Sequence, residues 1–318
     1  LAAGDLLQPA TLGRAVRACD AVLHAAAVIG PGGDATRFRD GNVVGTLNVV
    51  RAAAEARARL LHVSSTAVFG EARYRDEPTD ESVPLPALPE WDAYGRSKQA
   101  AEALVLDAHR QGRIWATVVR PPVMYGLRDR QFVPRIGPVL ERGFFPLVGG
   151  GRTTLNVVHA DSVAEGSVRA VSRDEAGGRV YHLTNDFDLT AEDLVRGAEE
   201  GLGRRIRSPE VPVTLARAGF GILGLGLRVV GRSDLAPHAR GTFRMLSRDN
   251  PFTSTRARAE LGWSPEIRPS EGLPEAFRWW RERRDQARGG GVMDAPVGTR
   301  SFALLFRGAG HQGRPWTG

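Results

Sequence analysis

Short apolar runs and amphipathic stretches take turns along the first 120 residues. Residues 21–27 (AVLHAAA), 60–64 (LLHVS) and 114–119 (IWATVV) are compact apolar runs with the length of buried strands. Between them, residues 42–56 place Val43, Leu47, Val50 and Ala54 at helical spacing, and residues 91–110 do the same with Ala100, Ala101, Leu104 and Ala108. The third run stops at Pro121 and Pro122, which cannot donate to a sheet ladder. Strands this apolar have no solvent face. The alternation therefore predicts an α/β fold, a parallel sheet covered by helices on both sides.

The pattern then loosens. Residues 78–89 are Pro-rich and acidic and read as a loop, residues 132–142 as a helix and Gly149–Gly151 as a turn. Asp161 is placed to cap a helix running through Val171, and residues 179–183 form another strand pattern. Thr190 with Asp193 has capping-box spacing and opens a helix to Leu202. Residues 269–288 predict a last helix with Leu273, Phe277 and Trp280 on one side. Residues 211–230 are strongly apolar but contain Pro212, Arg217, Arg228 and several glycines, which suits a buried or interfacial helix rather than a stable membrane span. Residues 289–318 start with three glycines and lack sustained periodicity; they read as a poorly ordered tail, with a short strand pattern at 301–306.

Composition adds limits. The chain has 318 residues, 42% hydrophobic and 25% charged, enough for a large α/β domain with a smaller lobe. The net charge of +7 is spread along the chain without a nucleic-acid module, so a nucleic-acid partner is not expected. Cys19 is the single cysteine, which excludes an intramolecular disulfide and fits a reducing, cytoplasmic setting; it reads as a small core residue. Of the 43 basic residues one is lysine, Lys98. Arginine serves everywhere else, so a compact ammonium is reserved for one position.

That position lies four residues after Tyr94, one helical turn away on the same face. A free tyrosine titrates near pH 10 and is a poor base; a neighbouring ammonium favours its phenolate. The pair can therefore move a proton to or from a substrate oxygen. Taken alone, Y-x-x-x-K also fits a solvent-facing pair. Ser64, Ser65 and Thr66 supply context, because they end an apolar strand where open α/β sheets bind ligands.

With these segments in view, the chain from Gly4 to about Trp280 resembles the extended short-chain dehydrogenase/reductases, the NAD-dependent epimerase/dehydratase family. Gly4-Asp5-Leu6 is similar to the family segment whose Asp contacts adenine. Leu23-His24-Ala25-Ala26-Ala27 resembles the strand whose small residues let the cofactor lie close. Asn42-Val43-Val44-Gly45-Thr46 resembles a helix start whose Asn supports the active-site backbone. Ser64-Ser65-Thr66-Ala67-Val68-Phe69-Gly70 and Tyr94-Gly95-Arg96-Ser97-Lys98 resemble the catalytic segments, and Arg120-Pro121-Pro122-Val123-Met124-Tyr125-Gly126 the segment closing over the nicotinamide. Val158-His159-Ala160-Asp161 resembles a later element in which the family gives the His no proton-transfer role.

The resemblance implies a Rossmann-like doubly wound parallel sheet with a smaller α/β substrate lobe, and NAD or NADP as cofactor. Ser65, Tyr94 and Lys98 are the implied catalytic residues. Asp5, Leu6, Ala25, Ala26, Ala27, Asn42, Ser64, Pro121 and Val123, with Tyr94 and Lys98, are the implied cofactor-binding ones; no metal is implied. Residues 1–123 and 154–186 are expected to form the dinucleotide-binding domain, and 124–153 and 187–288 the substrate lobe. The family begins with G-x-x-G-x-x-G, and nothing precedes Leu1. About 60 residues, two βα units, are expected to be missing, leaving a sheet without its first strands and with an unpaired edge.

The Arg-Pro-Pro-x-x-Tyr-Gly form, together with Asn250-Pro-Phe and Ala259-Glu-Leu-Gly-Trp263, looks closest to the 3β-hydroxysteroid dehydrogenase branch. The expected reaction is hydride transfer with a secondary alcohol or ketone, bulky and apolar. The alternatives are a nucleotide-sugar epimerase or dehydratase, and an inactive fragment lacking the glycine loop. A homodimer is expected by analogy.

Overall fold

The computed structural model describes residues 4–29, 34–73, 77–185, 187, 189–229, 231, 236–288 and 303–306. After a short helix, α1 (Pro9–Val16), the first apolar run forms β1 (Ala21–His24). Three helical pieces follow without a break: α2 (Ala35–Phe38), a π-helical segment (Arg39–Val44) and α3 (Gly45–Glu55). Next come β2 (Arg59–Val63), α4 (Ala93–Arg110) and β3 (Ala116–Arg120). Then follow β4 (Val123–Tyr125), α5 (Phe132–Leu140), β5 (Leu147–Val148), β6 (Val157–His159), α6 (Ala160–Ser172) and β7 (Val180–His182). The remainder comprises α7 (Ala191–Leu202), β8 (Glu210–Val211), α8 (Val213–Val229), α9 (Ala236–Ser247), α10 (Thr255–Leu261), α11 (Pro269–Arg288) and β9 (Ala303–Phe306).

The main sheet has the order β7-β3-β2-β1-β9. β1, β2, β3 and β7 are parallel, in registers such as Leu23↔Leu61 and Val119↔Tyr181. Side chains alternate between faces along each strand. Val22, Leu60, Ala116 and Val118 pack on one side with Val49, Val50 and Ala53 of α3 and Val105 and Ala108 of α4. Leu23, Leu61, Val119 and Tyr181 pack on the other with Val163 and Ala170 of α6, Leu261 of α10, and Trp263. Each large apolar side chain withdrawn from water in this way contributes about 1.5–3 kcal/mol. A third core joins α5, α7 and α11 through Leu194, Ala198, Leu273, Phe277 and Trp280. The fold is thus α/β with a parallel Rossmann-like sheet.

Several expectations change in detail. The strand pattern over 21–27 yields four paired residues, because β1 leaves the sheet after His24. His159, not Asp161, caps α6: its ring Nδ1 accepts the Asp161 N–H at 3.2 Å. The Thr190 capping box is present, with both reciprocal hydrogen bonds. Most of α8 is exposed, contrary to a buried helix. The outer edge of β1 is not unpaired, since β9 lies antiparallel against it, Ala21 opposite Phe306. An open edge offers a row of free backbone groups, and the extended segment ALLF satisfies them. The rest of the expected tail, 289–302 and 307–318, lies outside the described residues.

Candidate active site

The carboxyl ends of β1, β2 and β3 converge on the amino-terminal half of α4. Asp92 starts that helix by accepting the Gly95 N–H at 2.9 Å. From there Tyr94 and Lys98 point to the end of β2. The Ser65 hydroxyl is near enough to the Tyr94 phenol to favour its ionised form, and the ring meets buried Phe38 edge-on at 6.1 Å. Ser65 Oγ also accepts the Ala67 N–H at 3.1 Å, which fixes the turn after β2. Lys98 is buried and donates to the Val63 carbonyl at 2.7 Å, its one hydrogen bond among the described residues.

Burial sets the electrostatics. It pushes the Tyr94 phenol above its ordinary value; the Ser65 hydroxyl pulls it down and the Asp92 charge raises it again. The same desolvation lowers the Lys98 ammonium to about 8, with the Glu102 carboxylate working in the opposite direction. Beneath Lys98, in register on β1 and β2, lie His24 and His62, their rings 5.3 Å apart. Burial holds His24 down at about 3 and His62 well below its ordinary value, and the Lys98 charge adds to both shifts. Both imidazoles are therefore neutral at pH 7. His24 Nε2 meets Thr46 Oγ1 at 2.9 Å.

Three residues implied for the cofactor have other partners. Asn42 spends its whole amide on the scaffold: its Oδ1 accepts the Val28 N–H at 2.6 Å, and its Nδ2 donates to the Val28 carbonyl at 3.1 Å and to Ser97 Oγ at 2.9 Å. Ser97 Oγ in turn donates to the Tyr94 carbonyl at 2.7 Å, so Asn42 couples the loop after β1 to the Tyr-Lys helix. Asn42 sits on the π-helical segment, whose extra residue per turn turns this side chain inward. Ser64 Oγ donates to Glu102 at 2.7 Å. Leu6 lies in the core under α3, and its carbonyl accepts Asn48 Nδ2 at 2.8 Å.

The other implied residues border open space. Ala25 is exposed and Ala27 half-buried beyond β1, with Ala26 buried between them. Pro121 is buried after β3, and Val123 is exposed. Asp5 is exposed and accepts the Leu7 N–H. Small side chains beside a strand end, next to a lysine with unused donors, fit a dinucleotide. Among the described residues no group of three or more His, Cys, Asp or Glu is placed to hold a metal.

One buried network is absent from the sequence reading. Glu102, one turn after Lys98, forms a bidentate ion pair with Arg120 at the end of β3, and its Oε2 takes Arg120 Nε at 3.0 Å. Arg120 reaches on to His182 Nε2 at 3.4 Å and stacks on Phe69. Ser64, Glu102, Arg120 and His182 thus tie β2, β3 and β7 to α4 directly behind the candidate site. The legible signal was an acidic residue at a core-facing position of α4, between Ala101 and Val105.

Residues 1–183 match the family described as NAD dependent epimerase/dehydratase. A ketoreductase of Stigmatella aurantiaca, 4-hydroxy-2-methyl-3-oxo-4-farnesyl-3,4-dihydroquinoline-1-oxide ketoreductase, is 33% identical over 85% of this chain and 80% of its own. A 3beta-hydroxysteroid-dehydrogenase/decarboxylase of Arabidopsis thaliana is 28% identical over 73% of this chain and 55% of its own. Among solved structures, UDP-glucuronic acid 4-epimerase from Bacillus cereus in complex with NAD superposes with a TM-score of 0.67 at 19% identity, over 92% of this chain and 80% of that one. The chain belongs to the NAD-dependent epimerase/dehydratase family, whose cofactor is a nicotinamide dinucleotide.

Proposed function

We propose that this chain is a reductase or dehydrogenase that interconverts a ketone and a secondary alcohol, with Tyr94 as the acid–base residue. The observation that carries the reading is that Tyr94, whose phenol is acted on by the Ser65 hydroxyl, stands one helical turn from the buried ammonium of Lys98. NAD or NADP, when bound, supplies or receives the hydride. The protein's own part concerns the proton. A phenol kept protonated by burial suits the reducing direction, in which Tyr94 donates its proton to the substrate oxygen. Ser65 Oγ orients that oxygen by a second hydrogen bond. Lys98, protonated up to about pH 8, offsets the charge left on the phenolate.

The cofactor would lie along Ala25, Ala26 and Ala27, reach Asp5 and Leu6 with its adenine end, and meet Pro121 and Val123 at the nicotinamide. The unused Lys98 protons would hold a ribose hydroxyl. Asn42 and Ser64 act one step back, as positioning residues. The substrate class follows from two features. Phe144, exposed, and Phe145, half-buried, give the lobe an apolar surface. The ketoreductase relative acts, by its name, on a farnesylated ring. Together they favour a bulky apolar ketone. In the family resemblance, sugar-nucleotide members usually carry an Asn in the segment matching Arg120 to Gly126, where this chain has the exposed Val123, which weighs against the epimerase or dehydratase reading.

The test is NADH and NADPH oxidation with a panel of apolar ketones, sterols and UDP-sugars. Turnover of an apolar ketone is expected, and Tyr94→Phe should lower kcat about 10²- to 10⁴-fold without loss of fold. Turnover of UDP-sugars alone, or an unimpaired Tyr94→Phe, would refute the proposal.

A further inference from the structure

Helix α8 presents oil to water. Leu215, Ile222, Leu225 and Val229 are 63%, 73%, 62% and 79% exposed. Their spacing of seven, three and four residues places them in one stripe along the helix. The stripe is about 21 Å long at 1.5 Å per residue. The inward side is held by Ala216 and by Phe220, whose ring meets Phe243 of α9 at 5.8 Å. The helix is also poorly made for standing free. A Cβ added at Gly219, Gly221 or Gly226 would meet nothing within 4 Å, so no packing requirement explains these glycines, and each weakens the helix.

Charge decides what could cover the stripe. Neither α8 nor α9 contains an Asp or Glu, while exposed Arg217 and Arg228 lie towards the two ends of α8. A second copy laid on this helix would bring arginines to arginines with no acidic partner on α8 or α9. A convex stripe of this length is no pocket for a small ligand. An anionic lipid surface satisfies both features. The apolar side chains would enter the acyl boundary, and the arginines would snorkel to phosphate headgroups. The helix would lie in the interface plane; among the described residues no helix is long and apolar enough to cross a membrane. We propose that the α8–α9 hairpin docks this protein on an anionic lipid surface, an inference independent of the reaction assigned above.

Co-sedimentation of the full chain with vesicles tests it. Binding to mixed phosphatidylcholine–phosphatidylglycerol vesicles should exceed binding to phosphatidylcholine alone by about tenfold and weaken at high salt. The double variant Ile222→Ser, Leu225→Ser keeps the net charge, so general adhesion of a basic protein would survive in it. A docking stripe would lose about tenfold in binding, with circular dichroism and melting temperature unchanged. Equal binding of variant and parent, or no preference for phosphatidylglycerol, would overturn the proposal. So would a stable dimer in light scattering that the same variant dissolves. Should the variant fail to fold, Leu215→Ser alone gives the same comparison at the amino-terminal end of the stripe.

Discussion

Glu102 shows what one residue can carry. Its carboxylate is buried and shared by Arg120 and Ser64, and it lies one turn from Lys98. Taking two charges out of water is costly, and the pair is tolerable because both carboxylate oxygens find donors. Removing one partner is worse than removing both, since it strands the other charge. Glu102→Gln or Arg120→Met should therefore lower stability by about 3–5 kcal/mol in urea unfolding, and Glu102→Met with Arg120→Met by less than either single change. A double variant as unstable as the sum of the two would show that the residues do not act as a pair. Ser64→Ala leaves the ion pair intact and should cost about 1.5–3 kcal/mol, the value of a hydrogen bond to a charged group.

Elements were more legible than their faces. The helix over 91–110 was anticipated with Ala100, Ala101, Leu104 and Ala108 inward; in α4 Ala101 and Ala108 are buried and Leu104 half-buried against the core, Ala100 is exposed, and Lys98, Glu102 and Val105 complete the buried stripe. Hydrophobic periodicity could not find this, because it counts a buried lysine and glutamate as polar. The motif residues Ser65, Tyr94 and Lys98 were legible by type and spacing, and the structure brings them together. The supporting role of Asn42 was implied by the resemblance, but its partner Ser97 and the Ser64 partner Glu102 were not legible, since they lie 55 and 38 residues away. The last helix was read correctly, with Leu273, Phe277 and Trp280 buried, because no polar residue interrupts its stripe. Its contact with α7 depends on a close approach. A Cβ on Gly201 would lie 2.5 Å from the Pro274 carbonyl oxygen and 2.6 Å from Phe277 Cβ. Backbone cannot yield as a flexible side chain does. Gly201→Ala should destabilise by about 1–3 kcal/mol despite alanine's better helix propensity. An unchanged denaturation midpoint would mean that α7 and α11 are less tightly docked.

The whole molecule should be sensitive to mild acid. His24, His62 and His182 are buried on the sheet, and burial holds each below its ordinary value, to about 3 for His24 and His182. The unfolded chain takes up these protons near pH 6.5, while the folded chain refuses them until far lower. Between those limits the unfolded state binds more protons, so stability falls as pH drops. Each histidine contributes a slope of about 1.4 kcal/mol per pH unit there. Three together remove about 4 kcal/mol per unit, against a typical total of about 5–15 kcal/mol. Lys98 acts in a separate window. Its folded value of about 8 lies below the ordinary 10.5, so stability rises with pH between the two. Asp34 and Asp80, held below 3.8 by hydrogen bonds from Thr36 and Ser82, act only in stronger acid, and Glu81, raised by burial, works against the loss. The melting temperature should thus begin to fall just below pH 6.5, and His62→Leu should flatten that fall by about a third. A melting temperature constant from pH 7 to pH 5 would mean that water or a bound molecule reaches these imidazoles and supplies the partners that His62 and the Nδ1 atom of His24 lack.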